Sequence, residues 1–217
     1  MTTGDLRART LAAVRAHPSR TRRAFRLRAL LLVASSSAVS LAIFWGAGGL
    51  RAVPRPDSLL VGTFLGALAI AAAVVAVGIH RGRSMLPRPA WQLGLLIALA
   101  PAALFAWKVI WSARYPGMMV DWPERPGLRC LVLTLAMGLG PLVALVALAR
   151  NSEPVRPGLA GGALGIAVGA MTWVALELWC PVAYPRHLVI GHVTPALVLA
   201  AVGAVLGRGV MKLRNDT

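Results

Sequence analysis

Glu177-Leu178-Trp179-Cys180-Pro181, followed by His187 and His192, gathers a carboxylate, a thiol and two imidazoles in otherwise apolar surroundings. Glu177 and Cys180 are three apart, so on a helix they share one face. Thiolate, imidazole and carboxylate all bind Zn²⁺ and similar soft or borderline divalent ions. The chain has two cysteines, and the other is Cys130. They form no CxxC pair and no zinc-finger spacing, and permit at most one internal disulfide. Plainer readings stand beside the metal one. Glu177 can hydrogen-bond an imidazole or pair with Arg186, and the cluster can be a polar cap that satisfies helix ends.

These groups need elements to carry them. Of the 217 residues 58% are hydrophobic and 14% charged, against about 25% charged in soluble domains. Six hydrophobic segments, at approximately 29–50, 58–79, 91–112, 128–149, 158–179 and 189–207, each suffice to cross a hydrocarbon core of about 30 Å. Their short connections predict an up-down bundle in which sequence neighbours pack together. The chain is therefore read as an all-α, polytopic membrane protein of six transmembrane helices. It divides into a basic arm (1–28), a membrane domain (29–207) and a tail (208–217). The first apolar run is too long for a signal-peptide core and lacks a convincing cleavage site. In the arm, Thr3 and Asp5 are plausible caps for a short helix ending before Pro18.

The net charge of +16 does not point to nucleic acid, because no recognition motif accompanies it and the charges flank apolar runs. The arm, the second and fourth connections and the tail hold 16 of the 23 Lys and Arg residues. The positive-inside rule then places both termini in the cytoplasm of a bacterial inner membrane, with the lipid bilayer as solvent. Cys130 opens the fourth span and Cys180 closes the fifth, so both fall at the outer face, where a disulfide is chemically feasible. Trp45, Trp107, Trp111, Trp122 and Trp179 read as outer-interface anchors, Trp91 as an inner one, and Trp173 lies deeper. Lys108 is expected to snorkel outward from the last turn of its helix. Gly161, Gly165 and Gly169 form a small-residue ridge, as do Gly62 with Gly66 and Gly203 with Gly207. Pro101 and Pro141 are expected to kink their spans, with Gly138 to Pro141 the softest point.

Glu-Leu-Trp-Cys-Pro at 177–181, His187, Gly191-His192, Gly207-Arg208 and the Arg129-Cys130-Leu131 opening of the fourth span together resemble the NrsF family. The resemblance covers essentially the whole chain in length, helix number and cysteine placement. It implies a six-helix inner-membrane anti-sigma factor that holds an extracytoplasmic-function sigma factor and releases it on an envelope signal. Cys130 and Cys180 match the family's paired periplasmic cysteines, linked to sensing oxidants or thiol-reactive heavy metals, and His187 and His192 match its periplasmic histidines. The arginine-rich segment, with Arg7, Arg15, Arg20, Arg22, Arg23 and Arg26, matches the part expected to contact the sigma factor. So short an arm would be supplemented by cytoplasmic connections such as His80 to Arg88.

The expectation is a non-enzymatic regulator that senses through Cys130, Cys180, His187, His192 and Glu177. No fixed cofactor is called for, only a transient soft or borderline divalent metal at Cys130, Cys180, His187 and His192. A small transporter is the first alternative, but it predicts ionisable groups at mid-depth and internal repeats, and neither is evident. A membrane enzyme with a Glu/Cys/His centre is the second, and a scaffold or assembly factor the third.

Overall fold

The computed structural model describes residues 12, 22–50, 56–78, 89–115, 127–150, 155–180 and 182–211. The arm residues Arg7, Arg15 and Arg20, the proposed arm helix, Trp122, the His80–Arg88 connection and most of the tail lie outside them. The described residues form helices and no strand. The long helices are α1 (Arg22–Gly46), α2 (Asp57–Gly78), α3 (Ala90–Arg114), α4 (Leu128–Ala149) and α5 (Pro157–Trp179). The sixth span is composite: a four-residue helix α6 (Pro185–Leu188), a π turn (Val189–Val193) and α7 (Thr194–Val210). Six helical stretches are long and apolar enough to cross a membrane, as the sequence predicts. The sixth starts at Pro185 rather than near 189, because Pro185 supplies a preset first-turn φ.

The bundle is built around α5. Of its spanning window 78% is buried, against 6% for α1. Helices α2, α3, α4 and α7 all pack on it, α7 most extensively. Sequence neighbours pair only in part, since α1 packs chiefly on α4. One polar contact marks that pairing: the Ser40 hydroxyl donates to the Met137 carbonyl at 2.7 Å. With no hydrophobic drive between helices in lipid, such contacts and close packing select neighbours. The outward faces are apolar, as at Leu30, Leu31, Val61, Leu99, Val132 and Val205, all exposed.

Packing of α5 on α7 relies on the predicted glycine ridge. A Cβ at Gly161 would lie 2.0 Å from the Gly203 carbonyl oxygen, and one at Gly165 would lie 2.2 Å from that of Leu199. At Gly66 nothing lies within 4 Å. Pro101 and Pro141 sit inside helices that continue through them. Gly165→Ala is therefore expected to destabilise the protein by about 1–3 kcal/mol through overpacking. Gly66→Ala should instead be neutral or stabilising by up to about 1 kcal/mol. Thermal unfolding of both variants in one detergent reads the contrast.

Candidate functional site

Cys130 sits in the first turn of α4. Its entry is set by Gly127, the residue before the helix, at φ +91°, where a side chain is strained. A Cβ there would also stand 2.8 Å from the Gly191 nitrogen, and a Cβ on Gly191 would meet the Cβ of Cys130 at 2.9 Å. Two glycines thus let the start of α4 lie directly against the π turn. Cys180 follows the last residue of α5, with its backbone N–H donating to the Leu176 carbonyl.

The two histidines come from the composite sixth span. Residues five apart on a regular α-helix point about 140° away from each other. The π turn between them changes that, because its i→i+5 hydrogen bonding widens the helix. The Thr194 N–H donates to the Val189 carbonyl, and the Thr194 hydroxyl donates to the same oxygen at 2.9 Å. The imidazoles of His187 and His192 accordingly lie with ring centroids 5.6 Å apart.

The result is a compact tetrad. Cys130, Cys180, His187 and His192 each offer one ligand atom, all within 4.8 Å of one another. His187 Nε2 lies 3.5 Å from the Cys130 sulfur and 3.2 Å from the Cys180 sulfur. Neither cysteine is in a disulfide, and all four residues are buried. Phe44, Leu133, Met137, Leu176 and Trp179 form the apolar core around the cysteines. The neighbouring Cys130 thiol holds Cys180 well below the usual thiol range. Burial opposes that shift, and the neighbouring His187 and His192 imidazoles add to it. Chemically, the tetrad suits either thiol redox chemistry or capture of a soft or borderline metal.

Glu177 is placed differently from the other four. Its carboxylate pairs with Lys108 of α3, and both side chains are only 1% exposed. Lys108 does not snorkel but is turned into the bundle, and Arg186 is exposed. The physical reason is mutual need, since a lone charge in an apolar interior is costly and these two neutralise each other. The pair ties α3 to α5 one turn before Cys180. The tryptophans divide as well. Trp45 and Trp91 are exposed, consistent with anchors. Trp179 is buried, donating from Nε1 to the Ala47 carbonyl at 3.0 Å. Trp107 donates to the Thr63 hydroxyl at 3.2 Å. Trp173, also buried, lies 5.0 Å from the His192 ring and walls the tetrad. Of the arm arginines, Arg22, Arg23 and Arg26 lie on the first turns of α1.

A six-span membrane bundle with a buried thiol–imidazole centre at one end is the class that fold and site define. The family model of NrsF, negative regulator of sigma F, matches residues 8–212. The chain belongs to this family, and so to the regulators that act negatively on a sigma factor. No curated protein and no solved structure matches it.

Removing one partner of the buried ion pair isolates its contribution. Lys108→Met takes the paired cation from a buried carboxylate and is expected to cost about 3–5 kcal/mol, while Lys108→Met/Glu177→Gln should recover most of it. Detergent thermal melts of the single and double variants read this coupling.

Proposed function

We propose that the chain is an inner-membrane anti-sigma factor with both termini in the cytoplasm and the tetrad at the periplasmic end. It holds an extracytoplasmic-function sigma factor through the basic arm, with Arg7, Arg15, Arg20, Arg22, Arg23 and Arg26, and through cytoplasmic connections. It releases that factor when Cys130 and Cys180 react with an oxidant or a thiol-reactive heavy metal. On this reading the tetrad senses and does not turn over a substrate. The observation that carries it is the convergence of both cysteine sulfurs with two imidazoles within 4.8 Å. Family membership supplies the sigma factor as partner. The charge asymmetry of the connections supports the orientation.

The geometry suggests how the ends communicate. Cys130 belongs to α4 and Cys180 to the end of α5, so any reaction that joins their sulfurs changes how these helices are tied. With a peroxide, the two thiols give up two electrons and two protons, an S–S bond forms, and the peroxide leaves as two waters. Helix α1 packs on α4 and ends beside Trp179. Its 25 residues carry a shift roughly 37 Å to the arm. A loss of about 1.4 kcal/mol there loosens a partner tenfold.

Co-purification from cells tests this. The wild-type protein should bring down a sigma factor and lose it after peroxide or Cd²⁺ treatment. In Cys130→Ser/Cys180→Ser the amount of sigma factor recovered should not change with either treatment. Absence of any sigma factor in every condition would sink the proposal.

A further inference from the structure

The tetrad has two features that a simple thiol pair leaves unexplained. First, three of its four imidazole nitrogens lack hydrogen-bond partners among the described residues. His192 is 2% exposed, and neither of its ring nitrogens has a hydrogen-bond partner in the structure. His187 Nδ1 is also without one. A buried polar atom left unsatisfied is costly, and a buried imidazole with no hydrogen-bond partner is a candidate ligand. Second, two sulfur–nitrogen separations are close to those of a tetrahedral site. Bonds of about 2.3 Å to sulfur and 2.0–2.1 Å to nitrogen make sulfur–nitrogen edges of roughly 3.5 Å. The observed separations of His187 Nε2 from the two sulfurs are 3.5 and 3.2 Å.

We propose that the resting protein holds one Zn²⁺ ion, coordinated by the sulfurs of Cys130 and Cys180, Nε2 of His187 and one ring nitrogen of His192. This deepens the sensing reading by naming what occupies the sensor before the signal arrives. The donor set, two sulfurs and two nitrogens from four protein side chains, is that of a closed structural zinc site. The ligands come from α4, the end of α5, α6 and the π turn, so the ion joins three separate segments of chain. The thiols bind as thiolates and give up their protons when they do. Trp173 against His192 and the apolar core around the cysteines shield the centre from water.

The ion also makes the response switch-like. A thiol-reactive heavy metal competes for the same two sulfurs and displaces zinc. A peroxide draws two electrons from the bound thiolates, an S–S bond forms, two protons complete two waters, and Zn²⁺ leaves with no thiolate to hold it. Either route removes the link between α4, α5 and the π turn that the ion supplied.

The test uses the full-length, tag-free protein in mild detergent under reducing conditions. Elemental analysis should find about one zinc per chain. After stripping, titration with Co²⁺ alone should produce the intense ligand-field bands of a tetrahedral site and thiolate charge transfer. Cys130→Ser/Cys180→Ser should abolish both. His192→Ala should weaken Co²⁺ binding by more than about tenfold. Reduced wild-type protein without stoichiometric metal and without a tetrahedral Co²⁺ spectrum would overturn the proposal, as would an undiminished spectrum in the double serine variant. The two readings fail separately. A metal-free protein that still releases a sigma factor through Cys130 and Cys180 removes the ion and keeps the sensor. A zinc-loaded protein that never takes a sigma factor does the reverse.

Discussion

A methyl group at Gly161 or Gly165 would overlap the backbone of α7, and this near-contact constrains everything at the thiol end. Close approach of α7 to α5 brings the start of the sixth span back beside the end of α5. Only then do His187 and His192 face Cys180. The same logic repeats at smaller scale where Gly127 and Gly191 let α4 touch the π turn and bring in Cys130. Glycine here is a means of placing chemistry, since each missing side chain lets two ligand-bearing segments meet.

Two further devices finish the placement. The π turn gives up regular α-helical hydrogen bonding over five residues, Val189–Val193, and brings both imidazoles to one side. The Lys108–Glu177 pair fixes α3 against α5 just below Cys180, where an unpaired charge would be intolerable. Neither device reacts with an oxidant. Both hold the reactive groups in register, which is what a sensor with a defined threshold requires.

Much of this was legible in the residues. Long apolar runs show spanning helices because bilayer thickness fixes their length, and the Gly161-Gly165-Gly169 spacing marks a packing ridge through helical periodicity. The types and spacing of Cys180, His187 and His192 mark the corner, and topology brings Cys130 to it. What escaped were features set by tertiary contact. Lys108 and Glu177 are the isolated charges of the third and fifth spans, and that isolation was a usable signal for pairing, overlooked in favour of snorkelling. The π turn left no such trace, because hydrogen bonding by Thr194 depends on a register that periodicity does not encode. Trp173 read as a deep aromatic, and its position against His192 follows only from how α5 and α7 mesh.

Covalent or ligation chemistry at one end of α4 and α5 is held to govern affinity at the other end of the bundle. The most direct measurement is the dissociation constant of the sigma factor for the protein in lipid nanodiscs, before and after peroxide oxidation. Oxidation is expected to raise it at least about tenfold, a coupling of about 1.4 kcal/mol, with no change in Cys130→Ser/Cys180→Ser. Equal constants for reduced and oxidised wild-type protein would contradict the coupling outright.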